Sequence, residues 1–141
     1  MVDRLKPQHR SWLMSRVRSK NSLPELRVRK LVYGMGLRYR LHQQGLPGSP
    51  DIVLSSRRTA IFVHGCFWHR HRNCKKASMP KTRVSFWRKK FEGNITRDKV
   101  AQKKLRNDNW RILIVWECET KNEARLLKRL ERFFAVESCR R

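Results

Sequence analysis

Thr59-Ala-Ile-Phe-Val-His-Gly-Cys-Phe-Trp-His-Arg-His-Arg-Asn-Cys74 joins an apolar run that reads as a strand to a segment crowded with metal ligands and large aromatics. From His64 to Cys74, eleven residues hold three histidines, two cysteines, Phe67 and Trp68. Neutral imidazole and thiolate are the preferred ligands of zinc, and Phe and Trp beside them are costly in water unless they pack or bind something. A site is therefore expected at this strand end. A second run, Trp110-Arg-Ile-Leu-Ile-Val-Trp116, is the most apolar in the chain, reads as a buried central strand, and runs into Glu117 and Cys118. If the two strands are parallel neighbours, Cys66 and Cys118 emerge at one edge of the sheet. Cys66, His71, Cys74 and Cys118 then form a C-x4-H-x2-C pattern closed by a distant cysteine, while His69 stands at C-x2-H spacing, so spacing admits either histidine. The plainer alternative, two small buried cysteines and solvent-facing histidines, leaves this clustering unexplained. Cys139, near a basic terminus, reads as a free thiol.

Outward from this centre the elements are those of an α/β domain. Ile52-Val-Leu54 and Thr59–Val63, separated by the polar turn 55–58, read as a hairpin, with Arg38–Leu41 as a further strand. Ser22-Leu-Pro-Glu25 looks like a capping box opening a helix through Leu26, Val28, Leu31, Val32 and Met35, which Gly34 and Gly36 stop. A helix holding Phe86, Trp87 and Phe91 is expected after the basic loop 75–83, then a separate polar helix between Asn94 and Asn107. A last helix from Asn122 to about Val136 places Leu126, Leu127, Leu130, Phe133 and Phe134 on one face. No repeat, low-complexity tract or interdomain linker appears, and the length suits one domain with one modest core.

Thirty-five Lys and Arg against eleven Asp and Glu leave a net charge of +24 on 141 residues. Such a field attracts polyanions, and nucleic acid is the leading partner. A membrane partner is not expected, because no apolar stretch of transmembrane length and no long basic amphipathic helix is present. The opening Met1-Val-Asp-Arg-Leu-Lys6 is polar and carries no signal peptide, so a cytoplasmic location on the nucleoid is expected, with reduced cysteines. Residues 1–21 read as a basic arm.

Cleavage of a phosphodiester builds charge on oxygens, and a hard cation held by a carboxylate stabilises it. Asp51 is the best candidate: it follows the turn-rich Gly45-Leu-Pro-Gly-Ser-Pro50 and heads a strand beside the one ending at His64. A turn carboxylate capping local amides is the competing reading. His64 and His69 lie near the same strand end, where a histidine can deprotonate an attacking water. Glu25 is explained by the capping box alone.

Met14-Ser-Arg-Val-Arg-Ser-Lys-Asn21, Pro24-Glu25, Leu46-Pro-Gly-Ser-Pro-Asp51, Phe62-Val-His-Gly-Cys-Phe-Trp-His69, Pro80-Lys-Thr-Arg83, Phe86-Trp87, Arg97-Asp98, and Trp110 through Val115-Trp-Glu-Cys118 together resemble, in order and over nearly the whole chain, the very short patch repair endonucleases. The resemblance implies a restriction-endonuclease-like mixed sheet flanked by helices, with a structural zinc site and a basic N-terminal arm, in a single endonuclease domain over residues 1–141. It implies a magnesium-dependent nick on the 5′ side of the thymine in a T:G mismatch, the product of 5-methylcytosine deamination. Asp51 becomes the magnesium ligand, helped by the main-chain carbonyl of Val63; His69 activates water; His64 and Glu25 support the phosphate or metal-bound water. Cys66, His71, Cys74 and Cys118 become the zinc ligands. Phe67, Trp68 and Trp87 wedge into the base stack, while the arm, with Met14 and Val17 and the basic Arg16, Arg18 and Lys20, closes over the DNA. The Asp/Glu-x-Lys half of the wider superfamily's signature is replaced by Phe62-Val-His64, as in the resembled family. Double-stranded DNA with a T:G mismatch is the implied partner of a monomer, with other mismatch-repair proteins as further partners. Two rivals share these features: a zinc-stabilised DNA-binding module without catalysis, and a restriction or defence nuclease of other specificity.

Overall fold

The computed structural model describes residues 22–43 and 45–139. The expected arm, with Met14, Arg16, Val17, Arg18 and Lys20, lies outside them, as does the side chain of Cys139. Among the described residues three α-helices, α1 (Leu23–Gly34), α2 (Val84–Asn107) and α3 (Glu123–Cys139), accompany four strands, β1 (Arg40–Leu41), β2 (Ile52–Leu54), β3 (Thr59–His64) and β4 (Arg111–Trp116). The strands form one mixed sheet in the order β1-β2-β3-β4. The β2–β3 hairpin is antiparallel, and β3 pairs in parallel with β4 from Thr59 with Arg111 to His64 with Trp116. No described helix is long and apolar enough to cross a membrane.

Strand periodicity divides the apolar residues between two faces. Ile52, Leu54, Ile61, Leu113 and Val115 pack on one side against Val28 and Val32 of α1 and Leu126, Leu130 and Phe134 of α3. Ala60 and Phe62 face the other side, with Leu105 of α2 and the partly buried Ile112 and Ile114. Both faces of the parallel pair are thus covered, which explains why these two runs are nearly unbroken in hydrophobicity. It also corrects one expectation. β4 is not the central strand; its single paired neighbour among the described residues is β3, and its apolar character comes from helices above and below.

A second correction concerns α2, expected as two helices and found as one of 24 residues. Its buried positions Phe91, Asn94, Ala101 and Leu105 keep one helical stripe through Gly93, so packing carries the helix over its weakest residue. Only Arg40 and Leu41 of the expected first strand pair with β2. At the head of α1 the Ser22 hydroxyl accepts the Glu25 N–H at 3.4 Å, but the Glu25 carboxylate turns away from the cap. The helix buries Val28 and Val32 and leaves Leu26 exposed. α3 starts one residue later than expected, capped by the Asn122 side chain accepting the Arg125 N–H at 3.1 Å.

Candidate active site and metal centres

The parallel pairing of β3 with β4 brings the ends of both strands to one edge, and the antiparallel β2 begins there. Asp51, at the head of β2, is held by two bonds to β3: its main-chain N–H donates to the Ile61 carbonyl at 3.1 Å, and its Oδ2 accepts the Val63 N–H at 2.7 Å. Around it lies a cleft of about 510 Å³ whose wall includes Glu25, Val63, His64, Trp68, His69 and Asp98. A cleft of similar volume, about 520 Å³, lies between the turn after β4 and α3. Its acid, Glu119, is engaged in an ion pair with Arg129 at 2.7 Å, so the first cleft is the candidate site.

Among the described residues, three groups of ligand-type side chains surround this edge. In the first, Glu25, His42 and Asp51 offer donor atoms within 4.8 Å of one another. Burial is the main force on Asp51 and, with the neighbouring Glu25 carboxylate, raises its pKa from 3.8 to about 6, against the bond from Val63 and the charge of His42. Two hard carboxylates held together in a partly dry cleft fit a hard divalent cation, which relieves both desolvation and mutual repulsion. The Glu25 carboxylate is buried, paired with Arg29, and 3.0 Å from the His42 Nε2 through each oxygen.

In the second group, His69 Nδ1 lies 2.6 Å from Asp98 Oδ2 on α2. The carboxylate fixes the ring with Nδ1–H toward Asp98, which leaves Nε2 as the basic nitrogen. His64 stacks on His69 with centroids 3.9 Å apart and planes 7° from parallel. Burial, then the neighbouring His69, lowers the His64 pKa to about 4, so its imidazole is neutral near pH 7 and can donate or accept without adding charge.

The third group is Cys66, His71, Cys74 and Cys118, with all four ligand atoms within 4.8 Å. His71 Nδ1 lies 3.6 Å from Cys66 Sγ and 3.4 Å from Cys118 Sγ. Tetrahedral zinc with Zn–S of about 2.3 Å and Zn–N of about 2.05 Å requires S···N separations of about 3.6 Å, so the donor set fits that ion. Burial pushes the Cys66 thiol up to about 12, so a thiolate there calls for a cation beside it. His71 is the histidine that joins the cysteines, and His69 is committed to Asp98. Trp116 stacks on His71 with ring centroids 4.3 Å apart, beside this group. Phe67 and Trp68 make no such contact with it among the ring contacts of the described residues.

Those two aromatics sit at the cleft wall instead. Phe67 meets Trp68, Trp87 and Phe91 edge-on at 5.2–5.6 Å, and Trp68 leans on Trp87 at 5.9 Å. Phe67, Trp68 and Trp87 are all half-buried, so one cluster presents partly open rings beside the histidines. Asn94 Nδ2 donates to the Trp68 carbonyl at 3.0 Å and anchors the loop to α2. His42 and Asp98 complete the site without any local sequence pattern marking a role. Asp98 falls on the helical stripe of Trp87, Phe91 and Asn94, a spacing that signals it once α2 is read as one helix.

Fold and site together define a DNA endonuclease. The family model described as DNA mismatch endonuclease Vsr matches residues 2–76. The chain is 48% identical over 130 residues to the type II nicking enzyme V.XorIIP of Xanthomonas oryzae pv. oryzae, covering 92% of this chain and 95% of that one. It is 38% identical over 135 residues to the DNA mismatch endonuclease Vsr of Escherichia coli K12, covering 92% and 86% respectively. The catalytic domain of the homing endonuclease I-Bth0305I shares the fold with a TM-score of 0.58 at 19% identity, over 83% of this chain and 98% of that domain. The chain belongs to the Vsr family of DNA mismatch endonucleases.

Proposed function

We propose that the protein nicks duplex DNA on the 5′ side of the thymine in a T:G mismatch, with magnesium as the catalytic cation and zinc as a structural one. The observation that carries this reading is the convergence, in one cleft, of the half-buried Asp51 carboxylate and the oriented His69–Asp98 pair beside an aromatic cluster. Asp51 and the Val63 carbonyl would hold magnesium, which when bound supplies charge stabilisation on the phosphate oxygens. His69, its Nδ1 side fixed by Asp98, takes the proton of the attacking water at Nε2. His64, neutral and stacked on His69, hydrogen-bonds the phosphate, and Glu25 holds water beside Asp51.

A T:G pair is weakly stacked, and unstacking costs least at a mismatch, so Phe67, Trp68 and Trp87 discriminate it through the deformability of the step. The excess of cations supplies nonspecific phosphate contacts to a monomer acting on cytoplasmic DNA, where other repair proteins are its partners. Cys66, His71, Cys74 and Cys118 would hold zinc, which fixes the loop and takes no part in hydrolysis. The test compares T:G and T:A duplexes of identical flanking sequence under single-turnover conditions, with the cut mapped and magnesium titrated. Nicking confined to the T:G duplex, 5′ of the thymine and dependent on magnesium, is the expected result. Equal cleavage of both duplexes ends the mismatch assignment, and binding without cleavage favours a non-catalytic module.

A further inference from the structure

We propose that His42 is a positioning residue which, through Glu25, sets the affinity of the Asp51 site for its divalent cation. The inference rests on the reading of Asp51 as the cation ligand and extends it to a residue outside the wall of the cleft.

His42 follows β1 and is tied to both residues by different parts of itself, to Asp51 through the main chain and to Glu25 through the side chain. Its main-chain N–H donates to the Asp51 carbonyl at 3.1 Å, while its Nε2 lies 3.0 Å from each Glu25 oxygen. The backbone holds a positive φ of 49°, a left-handed conformation that disfavours any residue but glycine. Both side chains are largely withdrawn from solvent, at 16% exposure for His42 and 4% for Glu25. A residue so placed bridges α1 to the head of β2, and its ring fixes where the Glu25 carboxylate points. Arg29, one turn along α1, holds the same carboxylate through Oε2.

The consequence lies in what Glu25 does to Asp51. The two carboxylates offer oxygens within 4.8 Å of each other and of a His42 ring nitrogen. With both of its oxygens in reach of the His42 Nε2, the Glu25 carboxylate is held in one orientation beside the Asp51 oxygen that Val63 does not use, which is where a cation or its bound water would be shared between them. Outer partners of metal-binding carboxylates act in this way on affinity, by about 10- to 100-fold.

The experiment titrates the full-length protein with Mn2+ alone, without DNA, by electron paramagnetic resonance, and in parallel measures the Mg2+ half-saturation of nicking. His42→Leu should weaken Mn2+ binding by about tenfold or more and raise the Mg2+ requirement alike, with kcat at saturating Mg2+ largely kept. His42→Gln, which retains an N–H donor, should stay within about threefold of the parent. Glu25→Gln should match His42→Leu, and the double variant should lose no more than either alone, because both act on one interaction. Parent-like or tighter Mn2+ binding in His42→Leu overturns the proposal. If that variant fails to fold, parent-like binding by Glu25→Gln overturns it equally, since the proposed influence of His42 on the metal runs through the Glu25 carboxylate. Asp51→Asn separates the two levels: its loss of Mn2+ binding upholds the cation site whatever His42 does, and parent-like binding by it removes both.

Discussion

Asp51→Asn should abolish nicking and make the protein more stable. The side chain keeps its shape, its amide oxygen can still accept the Val63 N–H, and its amide nitrogen can donate to Glu25. What disappears is a charge the fold holds against burial. The native pKa of about 6 lies above the ordinary 3.8, so between these values the native state binds more protons than the unfolded chain. Stability of the parent therefore falls as pH rises through that window and levels off above it. At about 1.36 kcal/mol per unit, the shift from 3.8 to about 6 costs the parent about 3 kcal/mol at pH 7.5, and linkage reduces this to roughly half at pH 5. Urea unfolding of parent and variant at both pH values, with EDTA present, reads the difference directly. Millimolar magnesium should then raise the stability of the parent and leave Asp51→Asn unchanged. A variant no more stable than the parent at pH 7.5, or an advantage that does not shrink at pH 5, would refute the assignment of Asp51 as a strained, functional carboxylate.

Two further substitutions probe the scaffold. Cys118→Ser should remove about one zinc per chain and lower stability by about 3 kcal/mol or more, read by metal analysis and thermal melts; normal zinc content and melting would end the staple model. Gly93→Ala should stabilise by about 0.5–1 kcal/mol with nicking unchanged, because a Cβ there meets nothing within 4 Å and the residue is helical; destabilisation would mean that α2 needs a bend at this point.

The parallel strands were legible because each is a compact apolar run closing on a metal-type residue, so Cys66 and Cys118 mark both the strand ends and their relative direction. The position of Asp51, at the head of β2 and beside the end of β3, was legible from its turn chemistry and its place on the hairpin. The lateral position of β4 was not, since hydrophobicity reports cover by helices as readily as cover by strands. Asp98 and His42 meet their partners across 29 and 17 residues of sequence, and no short-range pattern encodes such contacts. Gly93 followed by Asn94 reads as a helix break only while the burial of Phe91, Asn94, Ala101 and Leu105 on one stripe is unknown.

That stripe explains why α2 has to be continuous. Trp87, Phe91, Asn94 and Asp98 follow one another at intervals of four, three and four residues and so share a helix face. Trp87 and Phe91 back the aromatic loop, Asn94 holds the Trp68 carbonyl, and Asp98 holds the His69 ring. Trp68 and His69 are adjacent in sequence, with the zinc-type ligands Cys66 and His71 just outside them, and the His71 N–H donates to the Cys66 carbonyl at 2.9 Å. The segment is therefore gripped at its ends by one centre and in its middle by one helix. On the proposed function, the ring that enters the base stack and the base that activates water cannot shift independently. A bend in α2 between Phe91 and Asn94 would uncouple them, moving the cut relative to the mismatch. Continuity of the helix through a glycine is then a requirement of positional accuracy as well as of packing.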